Sequence, residues 1–139
     1  MLTPLSLPEL EACLHRIYPP TAGRFSIIAL GDTELEMVLH VNQGDWRPGG
    51  TVSGPSMFAL VDCAFYALVL SRIGDQALAV TTNVSINFMR KPPLQDLLCR
   101  TRLLKHGRQL CVGDALVYAD QQVVAQASLT YSIPPPTKD

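Results

Sequence analysis

No excess of positive charge is present in this sequence: Lys and Arg number 11 against 12 Asp and Glu, a formal net charge of −1. Holding nucleic acid needs a basic field over its phosphates, so nucleic acid is not an expected partner. The four cysteines, Cys13, Cys63, Cys99 and Cys111, include no CxxC pair. That removes the spacing of a zinc site or a disulfide framework, and their apolar neighbours suit small buried thiols. The opening MLTPLSLPELEACLHRIYPP has no basic region ahead of its apolar residues and turns acidic at Glu9 and Glu11. No signal peptide is expected, and a reducing cytoplasm is the expected compartment. The longest apolar run, Met57–Leu70, holds 14 residues and is interrupted by Asp62. A bilayer span needs about 20, so a buried core helix is expected here and no membrane partner. Internal repeats and low-complexity segments are missing as well.

What is present fits one α+β domain over residues 1–139, long enough to bury a core without staples. The apolar share of 47% is ordinary for a globular chain. Ser6 and Glu9 form a capping-box pattern with Pro8 in the first turn, and Leu7, Leu10, Leu14 and Ile17 recur at helical spacing. This predicts a helix over about 6–18, stopped by Pro19-Pro20. Alternation in Phe25, Ile27, Ala29 and again in Leu35, Met37, Leu39, around Gly31-Asp32, predicts a hairpin. Residues 42–55 hold four glycines and two prolines and read as a loop. A helix apolar on all sides follows over about 55–73, closed by Gly74. Strands are predicted at 77–90, 94–105, 108–119 and 122–133, and a frayed tail at 134–139. One antiparallel sheet of five to six strands wrapped around the long helix accounts for this order.

Asp62 is the chemical anomaly. A carboxylate in an apolar helix is costly to desolvate unless it is paired or opens on a cavity, and charged groups so placed mark functional sites. A wet stripe on the helix, or a loop cap, would explain it equally well. Immediately before the helix stands Thr51-Val52-Ser53-Gly54-Pro55. A helix N-terminus offers free N–H groups and partial positive charge to a developing oxyanion; an ordinary capped start is the plainer reading. Gly54 and Asp62 are eight residues apart, about 12 Å along one helix. They cannot touch one atom within a single helix.

The segments GGTVSGPSMFALVDCAFYAL, AVTTNVSINFMRKP and LLKHGRQLCVGDALVYADQQVVAQASLTYSI resemble the phenylacetate-pathway (PaaI-like) branch of hotdog-fold thioesterases, over about residues 25–133. The family pattern reads G-T-x-H-G-G with an acidic residue nine positions after the His, and Ser53 to Asp62 has that spacing. The resemblance implies that Asp62 is the catalytic carboxylate, that the Gly54 N–H polarises a thioester carbonyl, and that Thr81 helps position the water or the Asp. Three positions depart from the pattern: its His-Gly-Gly is Ser53-Gly54-Pro55 here, which changes the first and third, and an Asn six residues before that His is Arg47.

The resemblance further implies an acyl-CoA substrate at the interface of a homodimer that pairs into a homotetramer, with coenzyme A arriving as substrate and no cofactor. Asp62 would be general base or nucleophile. Ser53 and Arg47, by position, and Asn83, Arg90, Lys91 and Arg108 are candidate substrate contacts; the basic ones, with Lys105, could meet phosphates or be scattered surface charge. Asn83, Ser85 and Asn87 alternate against Val84, Ile86 and Phe88, which marks one wet or interfacial strand face. His106 reads as a turn residue, His15 and His40 form no constellation with a cysteine or carboxylate, and no metal is expected. A non-hydrolytic acyl-CoA binding protein on the same fold is the alternative to a hydrolase; Asp62 speaks for hydrolysis, Ser53 and Arg47 against it.

Overall fold

The computed structural model describes residues 4–74 and 79–134. Helix α1, Leu7–Ile17, starts at a complete capping box: Glu9 N–H donates to Ser6 Oγ at 3.4 Å and Ser6 N–H to Glu9 Oε1 at 3.0 Å. It buries Leu10, Cys13 and Leu14, and a 3₁₀ turn, Pro19–Thr21, follows. Strands β1, Phe25–Leu30, and β2, Glu34–Leu39, form the first hairpin. The Gly- and Pro-rich segment is more ordered than a plain loop: a 3₁₀ turn, Gln43–Asp45, leads into a small antiparallel ribbon of β3, Trp46–Arg47, and β4, Thr51–Val52. Helix α2 spans Gly54–Ile73 and ends at Gly74, whose φ of +75° suits glycine. Strands β5, Val80–Phe88, β6, Leu97–His106, β7, Leu110–Ala119, and β8, Gln122–Ser132, complete the chain. The expected tail lies outside the described residues beyond Pro134, as do positions 77 and 78 of the predicted strand 77–90.

The six long strands form one antiparallel sheet in the order β1-β2-β6-β7-β8-β5. It curves around α2, the hotdog arrangement. By length and composition α2 could cross a membrane, its mean hydropathy being 1.6, but most of it is buried against the sheet. Leu60, Ala64, Phe65, Ala67, Leu68 and Leu70 have no exposed surface. Burying each large side chain contributes about 2 kcal/mol, so α2 anchors the core.

The sheet accommodates so thick a helix by thinning its own inner face. Cys111, Gly113 and Ala115 on β7 and Ala125 and Ala127 on β8 are small residues on the face toward α2. At Gly113 the Phe65 ring and the Arg102 carbonyl oxygen occupy the space a Cβ would need. Neither can yield easily, since the ring is buried and the oxygen is backbone. Gly113→Ala is therefore expected to lower stability by about 3 kcal/mol, as overpacking does. Chemical denaturation of the two proteins checks this; a difference below about 1 kcal/mol would contradict the close approach.

Candidate active site

Although α2 is apolar nearly all round, the sheet leaves one stripe uncovered. Pro55, Phe58, Ala59, Asp62 and Tyr66, at helical spacing, are exposed or half-buried. Asp62 opens onto a cavity of about 490 Å³ whose walls include Tyr18, Arg24, Tyr66, Thr81 and Tyr131. Its Oδ1 accepts two hydrogen bonds, from Thr81 Oγ1 at 2.8 Å and from the Tyr131 hydroxyl at 2.6 Å. Among the described residues no cation pairs with it.

Thr81 reaches Asp62 through a bulge. Simple alternation would put Thr81 on the same face as Asn83, Ser85 and Asn87. The β5–β8 register, however, slips between Thr81 and Asn83: Thr81 lies opposite Tyr131, Asn83 opposite Thr130 and Val84 opposite Leu129. The extra residue, Thr82, ties its hydroxyl to the Thr130 carbonyl at 3.0 Å, and Thr81 turns to the side of Val84, Ile86 and Phe88. Re-aiming a side chain in this way is what a bulge does. Asn83 stays on the opposite face and lines neither this cavity nor the next.

A second cavity, about 620 Å³, lies at the start of α2 and is lined by Arg47, Gly54, Phe58, Phe88, Arg90 and Lys91 among others. Three of the candidate basic residues thus meet Gly54 there. Arg108 sits in the β6–β7 turn and lines neither cavity. Ser53 is the N-cap: its Oγ accepts from Ser56 N–H at 3.3 Å and donates to Ser56 Oγ at 2.9 Å. Met57 N–H bonds the Ser53 carbonyl and Pro55 has no N–H, so in this first turn only the Gly54 N–H lacks an acceptor among the described residues. The Phe88 ring lies 3.3 Å from where a Gly54 side chain would begin.

Behind the helix start is a network that no sequence pattern singled out. Asp45 is fully buried and accepts from both Nη atoms of Arg24, from Ser56 Oγ at 2.6 Å and from Asn42 N–H at 2.8 Å. Its own carbonyl accepts from Ser53 N–H at 2.8 Å. Burial opposes the charge, but the bonds from Arg24, Ser56 and Asn42 and the Arg24 charge outweigh it and hold the carboxyl down at about 2. Arg24 also lines the Asp62 cavity, so one buried pair joins both ends of the site. Asp45 was hidden in a segment whose glycines and prolines announced only a loop.

A correction concerns His40, expected to form no constellation with a carboxylate. Its Nε2 is 2.8 Å from Ser26 Oγ and its Nδ1 is 3.1 Å from Asp96 Oδ2. The cause is strand register: Leu39 on β2 pairs with Leu97 on β6, so His40 and Asp96 meet across 56 residues of sequence. Ser26 and His40 line none of the four cavities described, and of the trio only Asp96 borders one.

The sequence pattern of the thioesterase superfamily matches residues 49–126, the stretch from the helix approach into the first half of β8. The chain belongs to that superfamily. Among solved structures, a candidate thioesterase of Silicibacter sp. is 51% identical over 97% of this chain and 96% of its own, with a TM-score of 0.89. A phenylacetic acid degradation-related candidate thioesterase of Ralstonia eutropha is 25% identical over 84% and 90%, TM-score 0.77. The Escherichia coli PaaI protein of the phenylacetic acid degradation operon shares 20% identity over 95% and 99%, TM-score 0.79, a likeness of fold. No curated protein matches the chain. The superfamily match begins at residue 49, so Tyr18, Arg24 and Asp45 lie outside it.

The Asp45 network makes a pH prediction. A carboxyl at about 2 when folded and 3.8 when free contributes stability that is fully present above pH 4 and is lost as pH falls through 2, about 2 kcal/mol in all. Asp45→Ala should cost about 2–3 kcal/mol at pH 7, because the half-buried Arg24 left behind keeps part of its charge in water, and the gap to wild type should narrow between pH 4 and 2. Urea titrations across that range test it; a gap independent of pH would contradict the buried pair.

Proposed function

We propose that this thioesterase-superfamily chain hydrolyses an acyl-CoA thioester, with Asp62 as the catalytic carboxylate and Gly54 as the oxyanion donor. The observation that carries the reading is Asp62 itself: a carboxylate in an apolar helix, opening on a cavity and held by two hydroxyls instead of a cation. A binding module has no use for so costly a group. Arg47, Arg90 and Lys91 around Gly54 offer cations to the phosphates of coenzyme A, and the Asp62 cavity offers room for the acyl group. The four free, buried thiols suit a reducing compartment.

The site is composite. Gly54 and Asp62 line different cavities of one chain and stand about 12 Å apart along α2, whereas each needs to come within about 3 Å of the reacting carbonyl. Two helices lying antiparallel across a two-fold axis would bring Gly54 of one protomer to Asp62 of the other. The surface that would be covered is apolar: Phe58 is 39% exposed, Phe88 51% and Met89 58%, beside β5 at the sheet edge. Pairing β5 edge to edge hides backbone groups that otherwise invite aggregation. The dimer pairs further into a tetramer.

In the general-base route Asp62 takes a proton from water, whose oxygen bonds to the carbonyl carbon. The oxyanion rests on the Gly54 N–H, then the C–S bond breaks and the proton passes to sulfur. In the nucleophilic route Asp62 bonds that carbon first, the thiolate leaves and water cleaves the anhydride.

A panel of acyl-CoA esters with thiol detection should reveal turnover that Asp62→Asn lowers by about 10²-fold or more without unfolding the protein. Equal activity in the two proteins would favour a non-hydrolytic binding role. Mixing inactive Asp62→Asn with inactive Gly54→Val subunits should restore activity, because each mixed dimer holds one intact site. No recovery after verified subunit exchange would refute the shared site, as would a monomer by light scattering.

A further inference from the structure

Tyr131 on β8 belongs to no motif, yet its hydroxyl makes the shortest contact to Asp62. We propose that Tyr131 is a positioning residue: with Thr81 it fixes the Asp62 carboxylate through Oδ1 and leaves Oδ2 as the oxygen that reacts. The proposal rests on the hydrolytic reading above. Oδ1 already holds both hydroxyl bonds, at 2.6 and 2.8 Å, while Oδ2 accepts none from any described residue. Two donors on one oxygen engage its lone pairs and stop the carboxylate turning about its Cβ–Cγ bond. Available basic lone pairs, and so the proton taken from water or the bond made to carbon, belong to Oδ2. Tyr131 can impose this alignment because it cannot move. It is 2% exposed, with the Phe65 ring edge-on at 5.4 Å and Tyr66 stacked at 6.0 Å. Its hydroxyl oxygen also lies 3.1 Å from the Asp62 carbonyl oxygen, the weaker arm of a three-centre bond made by its single proton, which keeps it level with that turn of the helix. Burial and the neighbouring Asp62 charge both push the Tyr131 pKa upward, so it remains a donor and never takes the proton itself.

The sign of the effect tells the two oxygens apart. If Oδ1 reacted, removing a donor would free its lone pairs and raise the rate. If Oδ2 reacts, losing the donor lets the carboxylate turn and the rate falls. Tyr131→Phe, which keeps the ring, is expected to lower kcat about tenfold with KM within about twofold, and to cause no further loss in an Asp62→Asn background. An unchanged or raised kcat, or the same fractional loss in both backgrounds, would overturn the proposal. A second measurement needs neither turnover nor a Tyr131 variant. The chain has four tyrosines, so the hydroxyl proton of Tyr131 can be resolved by NMR in tyrosine-labelled protein. It should exchange slowly with water and move upfield when Asp62→Asn removes the charge. A proton that exchanges fast, or does not move, would refute the bond to Asp62. Wild type inactive on every thioester would overturn the hydrolytic reading and with it the role of Oδ2, and a proton behaving as expected would then leave only the Tyr131–Asp62 hydrogen bond standing.

Discussion

Helix α2 carries Leu, Val, Ala, Phe and Cys around almost its whole circumference, and keeping water from it shapes everything else. A single curved sheet can enclose most of a cylinder but not all of it, so one stripe is left over. Asp62 lies on that stripe because it is the place where an ionised group on this helix escapes full desolvation. The same incomplete enclosure leaves Phe58 and Phe88 exposed. One geometric shortfall therefore yields both the seat of the carboxylate and the apolar surface that a second protomer would complete.

Enclosing α2 leaves its first turn to be fixed separately, and the Arg24–Asp45 pair does so. Asp45 grips Ser56 through its carboxylate and Ser53 through its carbonyl, so the helix start is tied to β1 and to the 3₁₀ turn at once. A buried pair of this kind is weak evidence for net stability, since its charges give up hydration to form. Its geometric consequence is firmer: the Gly54 N–H cannot wander relative to the sheet.

Much of this architecture was legible in the sequence because periodicity reports burial directly. The capping box at Ser6, the hairpin at Gly31-Asp32, the all-apolar helix and four alternating strands appear where spacing put them, with ends displaced by one to three residues. What escaped depends on register and on contacts between distant segments. Alternation alone missed Thr81, which the family resemblance supplied, because it faces Asp62 only through a one-residue bulge. Tyr131 stands between Leu129 and Ile133 on β8, and nothing in that spacing reveals what its hydroxyl meets. His40 found Asp96 through strand pairing across 56 residues.

The three departures from the family pattern acquire a physical meaning at the helix start. Ser53, where the pattern has His, caps the first turn and joins the Asp45 network. Pro55, where it has Gly, supplies no N–H, so the second donor of the pattern is lost and Gly54 stands alone. Arg47, where it has Asn, lines the Gly54 cavity together with Arg90 and Lys91. A site with one backbone donor stabilises an oxyanion less than a site with two, and each missing donor is worth about 3 kcal/mol. In the proposed mechanism, more of the barrier would then be lowered by alignment of Asp62, the group that Thr81 and Tyr131 hold through Oδ1.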